Sequence, residues 1–320
     1  MNVIFVGTPE FSVPSLSSLA TSKHKIVAVV TQPDRPKGRS KIPCPPPVKE
    51  VSQKFGLTIL QPENINSESV VKQLQYFSPD CIIVVAFGQF LSSTVLRIPR
   101  YQCINIHASL LPKFRGAAPI NRAIIQGETT TGVTSMVMAV KMDAGDIIAQ
   151  KTTPIFPDEN GGELEVRLAS MGAKLLLETL DLIETGKAIY TKQDEKSVSF
   201  APKLKKEDGL IQWSQETHKI HNLIRGVTPA PGAYTYYAKD GHHEKKRIIV
   251  QRTQIHHGSE LIVFLSPGTV TEVAPCGIHV ATLDGCICIT RLQPEGKRAM
   301  DAQEYVRGYK IIRGDMFVSQ

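Results

Sequence analysis

Asn105, His107 and Ser109 alternate with apolar neighbours in the segment NIHAS. On a strand, residues two apart face the same way, so Asn105 and His107 would project together from a strand's C-terminal end. That edge is where open α/β sheets place their ligands. An amide beside an imidazole suits a reaction that passes through an oxyanion. Asn supplies an N–H to the developing charge. His, with an ordinary pKa near 6.5, can give or take the proton. A nearby carboxylate would orient the ring and favour its charged form. Asp143, in the turn Asp143-Ala144-Gly145, is the first candidate for that role and Asp146 the second. On spacing alone the same residues also fit a capped strand end and a turn-forming Asp.

The elements that must position these residues follow from pattern. Val3–Val6, Lys25–Thr31, Leu57–Leu60, Cys81–Val85 and Gln102–Ile106 read as strands, and Phe11–Ala20, Val48–Phe55 and Glu68–Phe77 as helices between them. The continuous apolar run CIIVV is of the kind found in central parallel strands. Thr131–Val140 and Asp146–Ile155 read as two further strands, and Glu163–Glu184 as a long amphipathic helix with Leu164, Leu168, Met171, Leu175 and Ile183 near one face. Repeated strand–helix alternation predicts an α/β domain, doubly wound, with a mostly parallel Rossmann-like sheet. Beyond it the pattern changes to short β-rich runs, among them Arg247–Gln251, Leu261–Leu265, Gly268–Val273, Gly277–Ala281 and Cys286–Arg291. They predict a second, smaller OB-like β-barrel domain. The boundaries read as 1–189 for the first domain, a polar Lys-rich linker over 190–206, and 207–320 for the barrel.

Composition narrows the function classes. The chain has 320 residues, enough for two domains with substantial cores. Neither a signal peptide nor an apolar run of membrane-spanning length is evident, so the expected location is the cytoplasm and no membrane partner is expected. The six cysteines form no Cys-x-x-Cys pair and read as small buried hydrophobes, so no metal site is expected. His218 and His221 form a His-x-x-His pair that reads as helix packing. Gly7-Thr8-Pro9-Glu10 lacks the dinucleotide pattern G-x-G-x-x-G. The net charge of +7 is compatible with a polyanionic partner if the charge is concentrated. One concentration is the loop Gln32–Pro47, with Arg35, Lys37, Arg39 and Lys41 following a strand. Others are the Lys203, Lys205 and Lys206 stretch and Lys245, Lys246 and Arg247.

The segment NIHASLLPKFRGAAPI closely resembles the signature of the folate-dependent formyltransferases. GTPEFSVPSL, QPDRPKGRSK, KMDAGDII, APKLKKEDGLI, HNLIRG, PGAYT and LQPEGKRAM are similar to the branch of that family that acts on methionyl-tRNA. One departure is Ala230, where the family pattern has Trp. This resemblance implies an enzyme that moves the formyl group of 10-formyltetrahydrofolate to the amine of initiator methionyl-tRNA, with no metal. It implies that Asn105, His107 and Asp143 are catalytic. It places Ser109, Leu110, Leu111 and Pro112 against the folate, together with the pterin loop carrying Phe87, Gly88, Gln89 and Leu91. It assigns Arg35, Lys37, Arg39 and Lys41 to the tRNA acceptor arm, and suits Lys205, Lys206, Lys245 and Lys246 to its stem. A monomer is expected. Three other readings are a folate enzyme formylating a small amine, a formyl-folate hydrolase, and a non-catalytic tRNA binder. The basic loop disfavours the first, and the intact trio disfavours the last.

Overall fold

The structure is a computed structural model that describes residues 1–36, 42–238, 246–256 and 265–319. The chain divides into two compact units. Unit 1 comprises Met1–Pro119, Thr130–Pro154 and Glu165–Ala201, and unit 2 comprises Ile120–Thr129, Ile155–Leu164 and Pro202–Gln320.

Unit 1 runs β1 (Asn2–Gly7), α1 (Val13–Ala20), β2 (Lys25–Val30), β3 (Arg35–Pro36), β4 (Pro43–Cys44), α2 (Pro47–Lys54), β5 (Ile59–Leu60), α3 (Glu68–Tyr76), β6 (Cys81–Val85), α4 (Ser93–Leu96) and β7 (Gln102–His107). After α5 (Pro119–Ile125) come β8 (Thr130–Val137), β9 (Ile147–Pro154) and the long α6 (Gly161–Glu184). Seven strands form one sheet in the order β5-β2-β1-β6-β7-β8-β9. The first five are parallel, and β8 runs antiparallel to both neighbours. Alternate residues of the central strands face opposite ways. Ile4, Val6, Ile82, Val84 and Cys103 pack with Val71 and Leu74 of α3 and Val95 of α4. On the other face Thr179 of α6 donates to the Ser135 hydroxyl at 2.8 Å. A sheet covered this way on both faces is the doubly wound arrangement expected from the alternation.

Unit 2 contains α7 (Thr217–Gly226), β10 (Ala233–Ala238), β11 (Lys246–His256), β12 (Val270–Ala274), β13 (Gly277–Ala281), β14 (Cys286–Pro294), β15 (Met300–Asp301), α8 (Ala302–Tyr309) and β16 (Met316–Val318). Its antiparallel sheet has the order β12-β13-β14-β11-β10-β16. A bridge between Thr269 and Met316, with Phe317 N–H donating to Gly268 O at 2.8 Å, brings the two ends of that sheet together. The sheet therefore curls into a barrel around Trp213, Tyr237, Ile248, Val280, Ile287, Leu292 and Phe317.

The expected linker 190–206 is only partly a tether. Thr191 exchanges backbone hydrogen bonds with Ile147, and Arg115 does so with Ser199 and Ala201, so 190–201 belongs to unit 1. A polar, Lys-rich composition signals solvent exposure but is silent about backbone pairing, which is what holds this stretch. The expected strand Leu261–Leu265 lies outside the described residues apart from its last position. No helix among the described residues is long and apolar enough to cross a membrane.

Candidate active site

β7 lies between β6 and β8, with Asn105 opposite Val84 and Met136, and His107 opposite Thr134. Strand β6 pairs only as far as Asn105, so His107 stands at the C-terminal rim of the parallel sheet. The chain then turns sharply through 109–113. The Ser109 hydroxyl donates to Lys113 O at 2.7 Å, Thr134 Oγ1 donates to Ser109 O at 2.6 Å, and Gln150 Nε2 donates to Leu111 O at 2.9 Å. β8 and β9 thereby fix the loop that follows the two polar residues.

His107 is buried, and its Nε2 lies 2.9 Å from Phe114 O. A carbonyl only accepts, so that contact keeps a proton on Nε2. Nδ1 lies 3.8 Å from Asp143 Oδ2, within ion-pair range but beyond a direct hydrogen bond. The same carboxylate oxygen accepts from Gly116 N–H at 2.9 Å. Asp143 sits in the β8–β9 turn at φ +50°, a left-handed conformation that Asp tolerates better than most residues. Gly116 has φ +125°, and a Cβ there would come within 2.7 Å of Ala201 O, so the donor to Asp143 has to be glycine. Asn105 is half-buried, and among the described residues its side-chain amide has no hydrogen-bond partner. The rim thus presents an uncommitted amide next to an imidazole whose other nitrogen faces a carboxylate.

A second layer holds the Asp143 turn. Gln193 Nε2 donates to Asp143 O and to Gly145 O, both at 2.8 Å. Gln193 Oε1 accepts from Arg115 Nε at 3.0 Å and Nη2 at 2.9 Å. Arg115 is almost wholly buried and also donates to Glu195 at 2.8 Å, while Lys141 donates to the other oxygen of that carboxylate at 2.7 Å. Hydrogen bonds from Arg115, then Lys141, hold the Glu195 carboxyl down at about 2. Arg115 Nη1 is buried with no partner among the described residues. Sequence reasoning missed Gln193 and Glu195. Arg115 stood inside the quoted signature, but Gln193 is 78 residues away from it and nothing in the pattern joins them.

The structure brings Asn105, His107 and Asp143 to one rim, and Asp143 rather than Asp146 faces the imidazole. The expected folate residues divide. Ser109 and Leu111 are buried, whereas Leu110 and Pro112 are half-buried. Phe87 and Leu91 belong to the sheet core beneath α3 and α4, so their side chains serve packing. Gln89 is used in bracing, since its Oε1 accepts from Ile65 N–H at 2.9 Å and its Nε2 donates to Glu63 O at 3.2 Å. Gly88, at φ +85°, is exposed backbone beside them.

Among the expected tRNA residues, Lys37, Arg39, Lys41 and Lys245 lie outside the described residues. Arg35 is exposed in the β3–β4 ribbon and pairs with Glu63 at 2.8 Å. The base of that loop is fixed by Asp34, which accepts from Gln61 at 2.7 Å and from Lys49 at 2.7 Å; those two bonds lower its carboxyl pKa. Lys205, Lys206 and Lys246 are exposed in unit 2. Arg252 and Arg298, by contrast, pair with Glu163 and Glu304. Ala230, at the position of the family's Trp, is exposed.

Comparison with known proteins follows the same division of the chain. A family model described as formyl transferase matches residues 1–180, and one described as formyl transferase, C-terminal domain, matches residues 203–310. The chain is 47% identical over 314 residues to a methionyl-tRNA formyltransferase of Geotalea daltonii, covering 98% of this chain and 97% of that one. It is 43% identical over 316 residues to that of Moorella thermoacetica, covering 99% of each. Among solved structures it resembles an N-formyltransferase from Helicobacter canadensis with TM-score 0.65 and 17% identity, covering 91% of this chain and 98% of that one. It also resembles HypX from Aquifex aeolicus in complex with tetrahydrofolic acid, with TM-score 0.62 and 18% identity, covering 95% of this chain and 46% of that one. At such identities the two structures speak to the fold alone, whereas the full-length sequence likeness goes further: this chain belongs to the methionyl-tRNA formyltransferase family.

Proposed function

We propose that the chain transfers the formyl group of 10-formyltetrahydrofolate to the α-amine of initiator methionyl-tRNA, giving N-formylmethionyl-tRNA for translation initiation. The observation that carries this reading is the meeting of Asn105, His107 and Asp143 at the ligand-binding rim of the sheet. The full-length likeness to methionyl-tRNA formyltransferases supplies the acceptor. The rim suits a folate donor: Leu110 and Pro112 offer partly exposed apolar surface, Gly88 offers accessible backbone, and Asn105 offers a hydrogen-bond donor not already spent.

The neutral amine, with an ordinary pKa near 8, attacks the formyl carbon. The carbonyl π pair moves to oxygen, where the Asn105 amide donates to the oxyanion. The tetrahedral intermediate collapses by breaking the bond from carbon to folate nitrogen. The proton lost by the amine passes to the His107–Asp143 pair, and the departing nitrogen takes one up. The pair serves both halves because Nδ1 is the ring atom left to exchange a proton while Nε2 holds Phe114 O.

The test is a transfer assay with formyl-labelled donor and four acceptors: methionyl-tRNA, free methionine, an amino-sugar nucleotide and water. Label on the methionyl amine of the tRNA is expected. Label only on a small amine, or only in formate, would overturn the reading.

A further inference from the structure

Cys276, His279 and Cys288 are far from any Cys-x-x-Cys pattern in sequence, yet the barrel sheet of unit 2 gathers them. His279 on β13 pairs directly across from Cys288 on β14, and Cys276 lies in the turn that leads into β13. Residues opposed across a ladder on one face have their side chains side by side. Cys276 Sγ lies 3.1 Å from His279 Nε2 and 3.8 Å from Cys288 Sγ, and the three donor atoms all lie within 4.8 Å of one another. A tetrahedral zinc ion, with bonds of about 2.3 Å to sulfur and about 2.0–2.1 Å to nitrogen, holds its sulfurs about 3.8 Å apart and sulfur from nitrogen by about 3.6 Å. The sulfur pair matches that spacing, and the imidazole needs to withdraw by only about half an ångström.

Further features fit a metal. The three donors are soft thiolate and imidazole, the set that selects thiophilic cations over magnesium or calcium. The other ring nitrogen, His279 Nδ1, lies 3.8 Å from Cys286 Sγ, so Nε2 is the nitrogen turned to the cluster. His279 and Cys288 are buried while Cys276 is exposed, which gives an entry path from solvent. All six cysteines are free thiols.

We propose that Cys276, His279 and Cys288 form a zinc site that staples the β12–β13 turn to β14, with water as fourth ligand. Binding is an exchange of ligands: the hydrated ion sheds all but one of its waters, two thiol protons leave to solvent, two zinc–sulfur bonds and one zinc–nitrogen bond form, and nothing is oxidised.

The full chain, purified with a thiol reductant, stripped by chelation and dialysed against Zn²⁺, is measured for bound metal. Co²⁺ loading is read by the thiolate-to-cobalt charge-transfer absorbance. One zinc per chain and a cobalt–thiolate band are expected, both lost in Cys276→Ser and both kept in Cys44→Ser. The exposed position of Cys276 lets that variant fold even where Cys288→Ser does not. Zinc should also raise the melting temperature of the parent chain and leave that of Cys276→Ser in place. Absence of bound zinc in the reduced parent, retention of the cobalt band in Cys276→Ser, or a Cys276–Cys288 disulfide in place of metal would each overturn the proposal.

Discussion

His107 makes two unlike contacts, a hydrogen bond to a carbonyl that only accepts and a 3.8 Å approach to a carboxylate that can take a proton. Removing either partner of the exchange should therefore act on turnover. His107→Ala and Asp143→Ala are expected to lower kcat by about 10²–10⁴, the usual worth of positioned acid–base groups; full activity in both would remove them from the mechanism. Asn105→Ala is expected to lose turnover at an unchanged melting temperature, because its amide holds no structural bond among the described residues. A lowered melting temperature with activity intact would make Asn105 a strand-end tie. Gln193 is a positioning residue: its carboxamide bonds two carbonyls of the Asp143 turn and never reaches the imidazole. Gln193→Ala should lower kcat by about 10²-fold, the cost of a displacement near 1 Å, with the KM for the formyl donor unchanged. A rise in that KM with kcat intact would assign Gln193 to folate binding instead. The proposed trio of Asn105, His107 and Asp143 was legible because strand alternation and a quoted signature mark it locally. Gln193 and Glu195 were not, since their partners are brought to them by the chain's return along β9, and no local period encodes that. Phe87 and Leu91 add what the motif match does not carry: it names their loop as the one against the pterin, and their buried side chains also pack in the sheet core.

Elements show the same divide between local and tertiary signals. The apolar runs of β1, β2, β6 and β7 and the long face of α6 were readable because burial on both faces or on one stripe leaves a period in the sequence. Strands β10 and β16 were not identified. β16 has three residues, and its pairing with β10 and with Thr269 supplies what so short a strand lacks by itself. β11 extends well past the expected Arg247–Gln251, carried on by pairing with β14 through register shifts near Arg252. In α7 the His-x-x-His pair resolves into an exposed His218 and a buried His221. The His221 ring lies 3.0 Å from Thr253 Oγ1 and 3.2 Å from Pro157 O. Burial, opposed by the Pro157 carbonyl, lowers its pKa below the ordinary value near 6.5. Folding thus favours the neutral ring. Its stabilising contribution is fully present above pH 6.5 and declines as pH falls from there toward the lowered folded value. The melting temperature of the parent chain should therefore drop more steeply between pH 7.5 and 5.5 than that of His221→Gln. Parallel curves would show that His221 titrates alike in folded and unfolded chains.

At the scale of the whole molecule the excess of positive charge matters only where it is not already neutralised. In unit 2 the ion pairs of Arg122, Arg252, Arg291 and Arg298 cancel four cations against acidic partners. Lys205, Lys206 and Lys246 are exposed and have no ion pair among the described residues. An uncancelled cation that meets a phosphate releases a condensed counterion, so binding weakens with salt at a slope of about 0.9 per contact on double-stranded nucleic acid and somewhat less on single strands. The combined variant Lys205→Glu, Lys206→Glu, Lys246→Glu should lower kcat/KM for methionyl-tRNA. It should also flatten the plot of log binding constant against log salt by up to about three contacts' worth. The rate with free methionine or another small acceptor at saturating donor should be unaffected, since such an acceptor carries no phosphate stem. Arg298→Glu is the control, because it makes the same charge change per position at a residue already committed to Glu304, and well under a third of the triple variant's effect on tRNA is expected there. Losses in proportion to charge, with Arg298→Glu showing about a third of the triple variant's effect, would mean that tRNA responds to net charge at long range. An unchanged salt slope in the triple variant would mean that these lysines only keep the chain soluble, and the expected stem contact would have to be sought in the residues from 239 to 245.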